Sequence, residues 1–177
     1  MSLSLHQTAI PGFISMLGNI RTWLGKAAEL GDEAALLEAR LADDMLPFAR
    51  QVQIASDAAK GAAARLTGSE APAMPDTETS LTELQARCDK TIAYLQSVDA
   101  AAFDAGATSE VVLTFPNGGG LKTDGFTFLT QFSIPNFYFH ASMTYAILRS
   151  HGLALGKADY LAHLAPHMFA PPQTADA

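Results

Sequence analysis

A short polar pair in the last third of the chain has the spacing of two ligating side chains. Asn136 and His140 are four residues apart in the segment PNFYFHASMTYAILR, residues 135–149, which is otherwise strongly apolar. Residues i and i+4 lie one above the other on the same face of a helix, so both side chains can reach one ion or one ligand. The pair therefore indicates half of a metal site, a polar ligand pocket, or two buried side chains that are hydrogen-bonded inside the core.

The other candidate residues point less clearly to chemistry. His163 and His167 have the same spacing, but Pro166 lies between them, so a shared helical face is not expected. Cys88 is the only cysteine, which excludes an intrachain disulfide and a cysteine-based zinc site and predicts a buried thiol. No Walker loop, nucleotide-binding glycine motif, nucleophile elbow or H-E-x-x-H motif occurs. No catalytic residue is therefore identified.

The acidic residues of the second predicted helix have structural explanations. Asp43 or Asp44 is expected to cap this helix at its start. Asp57 lies about one turn from both Lys60 and Gln53, which is typical of a solvated helical face.

The composition predicts a single helical domain. The chain has 177 residues, of which 49% are hydrophobic and 16% charged, as is usual for a protein with one core. Its net charge of −7 and its scattered basic residues disfavour nucleic acid and anionic membranes as partners. Without a signal-like start or a long apolar run, we expect a cytoplasmic protein. We expect one domain over residues 1–165 and a flexible tail over residues 166–177.

Apolar residues spaced three and four apart predict four long helices that position these side chains. The helices are expected over residues 5–30, 45–66, 80–97 and 124–150. Ser80 and Glu83 form a capping-box pattern at the start of the third helix, and Thr123 or Asp124 can cap the fourth. The segment 67–80 between the second and third helices is rich in turn residues and is predicted to be a surface loop.

The region around the last helix has two further features. The alternating segment EVVLTF, followed by PNGGG and LKT, predicts a small β-hairpin at 110–123. Pro135 removes a hydrogen bond from the helix and predicts a kink or broken turn near Gln131–Pro135. Aromatic and aliphatic residues occur on nearly every side of the last helix, so we expect a second subunit to cover it in a homodimer.

Several stretches resemble the bacterial family of unknown function DUF1993. The most specific are DMLPFARQ, residues 44–51, and PNFYFH, residues 135–140, and the resemblance extends over nearly the whole chain. This family is similar to the DinB/YfiT-like superfamily of four-helix bundles, whose members often dimerise and often carry a metal on three histidines. The resemblance implies an all-α fold, a DinB-like antiparallel four-helix bundle, with the small β-hairpin between helices three and four.

The resemblance also implies where a metal would bind. The superfamily takes one histidine from the second helix and an H-x-x-x-H pair from the fourth, which falls on Asn136 and His140 here. The second helix has no histidine, and its polar candidates are Gln51 and Gln53. Because neutral amides are poor ligands for zinc or nickel, the position is expected to bind these ions weakly, and no metal ligand set is assigned. We predict instead a ligand-binding set of His140, Asn136 and Gln51.

Three functions remain open at this stage. The favoured hypothesis is a DinB-like dimer with a degenerate metal site, which binds a small molecule or has no catalytic role. The first alternative is a divergent metal-dependent hydrolase or thiol transferase, in which His140 is a ligand or general base. The second alternative is a module that serves dimerisation or interaction.

Overall fold

The computed structural model describes residues 4–115 and 117–169, which form a helical bundle with one hairpin. The long helices are α1 (Leu5–Ala27), α3 (Phe48–Thr67), α4 (Leu81–Gln96) and α7 (Ile134–Ser150). The short helices are α2 (Glu33–Glu38), α5 (Ala100–Ala105), α6 (Gly125–Thr127) and α8 (Lys157–Tyr160). Strands β1 (Glu110–Thr114) and β2 (Gly120–Asp124) pair in antiparallel register. The four-helix bundle and its hairpin are thus confirmed, and residues 170–177 of the predicted tail lie outside the described residues.

The helix starts agree with the sequence signals in two cases and differ in one. The hydroxyl of Ser80 accepts from the backbone N–H of Glu83 at 3.1 Å, and Asp124 accepts from the N–H of Thr127 at 2.8 Å. The predicted start of α3 near Met45 is wrong, because the helix begins after Pro47, whose extended backbone precedes the first turn. Asp43 and Asp44 therefore lie upstream of α3 and do not cap it.

The last long helix has the break that was expected before Pro135. A π-helical turn, Phe128–Ser133, separates α6 from α7, and Pro135 lies in the first turn of α7. Proline has no backbone N–H to donate to the preceding turn, so the ladder widens where that donor is missing. This turn becomes one wall of the candidate site.

The four long helices follow an up-down-down-up order. Helix α1 runs antiparallel to α4, since Arg21 is paired with Asp89 while Glu33 accepts from the backbone N–H of Leu81. Helix α3 is antiparallel to α7, as the contacts of the candidate site show. The antiparallel prediction therefore holds for these two pairs.

The other two neighbouring pairs run parallel. Helices α1 and α7 contact through Phe13 and Phe137, with ring centroids 4.6 Å apart, and further along both helices through Trp23 and Tyr145, at 5.6 Å. Helices α3 and α4 also run parallel because loop 68–80 returns along α3. The loop has thirteen residues. Fully extended, they would span about 40 Å, enough to cover the roughly 30 Å of a 20-residue helix.

Buried ion pairs and hydrogen bonds hold loop 68–80 against α3 and α4. Glu78 accepts from Arg87 at 2.8 Å and from Gln53 at 2.9 Å, and Asp76 pairs with both Arg87 and Arg50. The Arg87 side chain is 1% exposed and therefore depends on these partners. The start of α4 is thereby held beside the start of α3.

Two glycines allow the base of the hairpin to approach the end of α3. A Cβ atom at Gly106 would overlap the carbonyl oxygen of Leu66, and one at Gly125 would overlap the carbonyl oxygen of Gly106. Backbone therefore contacts backbone at this point. The contact places the hairpin over the seam between α3 and α7.

The core fills the space between the four long helices. Its largest fully buried side chains include Phe13, Trp23, Phe48, Phe103 and Phe137. Of the helices in the described ranges, none combines the length and the apolar character that crossing a bilayer requires.

Candidate functional site

Gln51 and His140 meet in the seam between α3 and α7. The Oε1 atom of Gln51 lies 2.7 Å from Nδ1 of His140, and the two residues are 1% and 8% exposed. Further along the seam, the hydroxyl of Ser133 donates to the carbonyl of Ala58 at 3.2 Å, so the two helices run antiparallel. The structure thus brings together two of the three predicted site residues.

The surroundings of Gln51 determine the tautomer of His140. The Nε2 atom of Gln51 donates to the carbonyl of Leu46 at 2.9 Å, and this carbonyl can only accept. The amide oxygen therefore faces the imidazole and accepts from Nδ1–H. The lone pair of His140 is accordingly on Nε2.

His140 is poised as a neutral acceptor. Burial, and secondly the nearby charge of Arg50, lower the pKa of His140 below its usual value. Its Nε2 atom has no hydrogen-bond partner among the described residues. It is also not fully buried, because Nε of Arg87 is the one fully buried side-chain nitrogen or oxygen among these residues that lacks a partner. Nε2 therefore contacts solvent. It can accept a hydrogen bond from a ligand or take up a proton.

The donors at this position do not fit the zinc or nickel site that the superfamily implies. The amide oxygen of Gln51 is already occupied by Nδ1–H of His140, and a neutral amide is a weak ligand for these ions. Nowhere in residues 4–115 and 117–169 do three His, Cys, Asp or Glu side chains gather as a ligand set. No chemical step is therefore assigned to a metal here.

Asn136 opens onto a separate cleft beside the His140 pair. It precedes His140 by one helical turn, or about 6 Å along the axis. The cleft has a volume of about 230 Å³ and lies between α3, the π-helical turn and the hairpin. Its polar lining comprises Asp57, Arg65, Ser133 and Asn136, and its aromatic lining comprises Phe128 and Phe132. The side-chain amide of Asn136 has no hydrogen-bond partner in the described part of the chain, so it is free to bind a ligand.

The two charged side chains of the cleft differ in their partners. The solvated face expected around Asp57 is wrong, because Lys60 and Gln53 are 8% and 3% exposed. Asp57 accepts from Lys60 at 2.9 Å and from Arg87 at 2.7 Å. Arg65 donates to the carbonyl of Gly61 at 3.0 Å, and its guanidinium lies 5.8 Å from the ring centroid of Phe128. The carboxylate of the cleft is thus neutralised, while the guanidinium is held in place by a carbonyl and a ring.

The remaining candidates from the sequence lie elsewhere. Gln53 donates to Glu78 of loop 68–80. His163 lies on the exposed 3₁₀ segment Ala162–His167, where its Nδ1 is 3.3 Å from the amide of Asn19. Cys88 is buried as predicted, and burial raises the pKa of its thiol to about 12, which makes it unreactive.

Sequence reasoning missed Arg65, Phe128 and Phe132. The two phenylalanines have helical i, i+4 spacing just before Pro135, which was a signal for a broken aromatic turn but also fits a buried core. Arg65 gave no signal, because its place in the cleft depends on the hairpin folding over the end of α3.

The bundle order, the hairpin and the α3–α7 seam define a protein of the DinB-like class. A crystal structure at 1.83 Å, described as a DinB family member protein from Shewanella denitrificans, is 37% identical to this chain with a TM-score of 0.80. The match covers 97% of this chain and 96% of the other. The chain belongs to the family DUF1993, a domain of unknown function, whose model matches residues 5–161. No curated protein matches it.

Proposed function

We propose that this protein binds a small organic molecule in the cleft between α3, α7 and the hairpin. The observation that carries the proposal is the unpaired amide of Asn136 in the wall of a cleft that also holds a guanidinium and two aromatic rings. A few polar groups that converge on an apolar wall are typical of ligand sites. The adjoining π-helical turn supports this, because such turns are frequent at functional sites.

The volume of the cleft favours a small ligand. Clefts that hold drug-sized ligands have volumes of roughly 300–1,000 Å³. The volume here, about 230 Å³, suits a smaller metabolite. His140, one turn further along α7, supplies a neutral acceptor for any part of the ligand that extends along the seam.

A screen with a matched variant tests this proposal. We expect at least one compound of a metabolite library to raise the melting temperature of the parent protein and to shift the NMR signal of the Asn136 side-chain amide. The effect should be lost in Asn136→Ala and kept in Gln96→Ala, which removes an exposed amide from α4. If no compound acts on the parent, or if Asn136→Ala responds equally, the cleft is not a binding site.

A metal-dependent hydrolase or thiol transferase is the second candidate. The free lone pair on His140 Nε2 favours it, because this atom can ligate a metal or act as a general base. The amide donors around it count against it. Metal analysis of untagged protein separates the two: about one equivalent of zinc or nickel would support the enzyme, and less than about one-tenth would contradict it.

We also propose that the protein forms a homodimer through the last helix. Phe126 in α6 and Phe139 in α7, the two parts of the last predicted helix, are 53% and 52% exposed. Large exposed aromatic side chains often mark interfaces. Sedimentation velocity should show a dimer at tens of micromolar, and Phe139→Asp should produce a monomer. A parent protein that sediments as a monomer would refute the dimer.

A further inference from the structure

Arg65 is a cation without a carboxylate partner in the cleft around Asn136. Among the described residues, no Asp or Glu lies within ion-pair distance of its guanidinium, and its one protein acceptor is the carbonyl of Gly61. A guanidinium has five N–H donors, so several remain for a ligand.

Contacts with α3 and with Phe128 favour this position of the guanidinium. A Cβ atom at residue 61 would lie 2.5 Å from Nη1 of Arg65, so Gly61 leaves room for the guanidinium to fold back along α3. The ring of Phe128 supports the guanidinium from the other side, at 5.8 Å from its centroid. These two contacts favour a position of the guanidinium at the wall of the cleft.

The nearest carboxylate does not cancel this charge. Asp57 lines the same cleft, but its carboxylate is paired with Lys60 at 2.9 Å and with Arg87 at 2.7 Å. The cleft therefore offers a surplus positive group to a ligand.

The aromatic wall determines the rest of the ligand. Phe128 and Phe132 are stacked with their ring centroids 5.8 Å apart and an interplanar angle of 24°. Phe128 is 2% exposed, so the half-buried ring of Phe132 is the apolar surface that the pair offers to the cleft. The amide of Asn136 provides both a donor and an acceptor at the same cleft.

We infer that the ligand is a small carboxylic acid with a flat apolar body, whose carboxylate binds Arg65 and whose body packs on Phe132. This inference rests on the proposed function and specifies the class of its ligand. A carboxylate matches a guanidinium in charge and planar geometry. Phosphate, which has no apolar body to pack on the ring, and uncharged amides are expected to bind more weakly.

The experiment uses two probes of the same shape, phenylacetate and phenylacetamide, which differ in charge. Both are titrated into the full chain up to about 10 mM, a range suited to the weak binding of fragments, and the side-chain signals of Asn136 and Arg65 are followed by NMR. Phenylacetate should bind at least about tenfold more tightly than phenylacetamide. The ratio should fall when the salt concentration is raised to about 1 M, because Arg65 is exposed and its charge is screened.

Two variants decide the role of Arg65. In Arg65→Gln the preference should fall below about twofold, whereas Arg149→Gln, which removes an exposed charge at the end of α7, should keep the parent ratio. Equal binding of both probes to the parent, or a preference that survives in Arg65→Gln, overturns the carboxylate. If phenylacetamide shifts Asn136 as strongly as phenylacetate, the pocket stands and the ligand class is wrong. If neither probe binds, the carboxylate is refuted, and the metabolite screen decides whether the pocket falls with it.

Discussion

A carboxylate in place of the Gln51 amide should raise the pKa of His140. In the parent protein, burial and the charge of Arg50 hold this pKa below its usual value. The neutral amide of Gln51 carries no negative charge that would raise the pKa again. Gln51→Glu keeps the length of the side chain and places a negative oxygen where the amide oxygen now lies 2.7 Å from Nδ1. The imidazolium form then gains an ion pair.

The magnitude follows from the contact distance. An opposite charge at hydrogen-bond distance typically shifts a pKa by about 1–3 units, which corresponds to about 1.4–4 kcal/mol between the two protonation states. We expect the pKa of His140 to rise by at least about one unit in Gln51→Glu. NMR of the imidazole nitrogens between about pH 4 and 9 measures it directly.

The same shift changes how stability depends on pH. In the parent, the folded-state pKa of His140 lies below the unfolded value of about 6.5, so the folded state resists protonation. Its stability contribution is complete above that value and is lost as the pH falls, by at most about 1.4 kcal/mol per pH unit. If the pKa in Gln51→Glu lies above the unfolded value, the sign reverses, and its contribution is complete at low pH and lost as the pH rises through the new pKa.

A second charge change provides the control. Gln85→Glu adds the same charge to α4, where Gln85 donates to the carbonyl of Arg21 on the face toward α1, and it should leave the His140 signal unmoved. A His140 pKa that changes by less than about half a unit in Gln51→Glu would refute the contact on which the site is built. An equal rise in both variants would show a general charge effect instead.

Two further predictions concern the elements that position the site, and urea denaturation checks both. Gly106→Ala should lower the free energy of unfolding by at least about 1–3 kcal/mol, because its Cβ atom would overlap the Leu66 carbonyl. As a control, Gly18→Ala, with open space around it in α1, should raise this free energy by about 0.5–1 kcal/mol. If Gly106→Ala leaves the stability unchanged, the close approach of the hairpin to α3 is disproved. Arg87→Met should lower the free energy of unfolding by about 3–5 kcal/mol, because three carboxylates lose a buried partner. A loss below about 1 kcal/mol would show that these ion pairs do not hold loop 68–80 in place.

The sequence predicted most of the secondary structure because its signals are local. Ser80 and Asp124 were identified as caps since each side chain bonds its own first helical turn. Pro135 predicted the broken turn because its missing N–H acts within one turn of the helix. The start of α3 was misplaced because two acidic residues offered a plausible cap upstream of Pro47.

Residue type and spacing also determined that Asn136 and His140 share a face of one helix. Only the tertiary structure decided which partner each would meet. Gln51 reaches His140 because α3 runs antiparallel to α7, and Arg65 reaches the Asn136 cleft because the hairpin and the π-helical turn close over the end of α3. Contacts between residues 70 to 90 positions apart depend on how whole helices pack, and no local pattern in the chain encodes that packing.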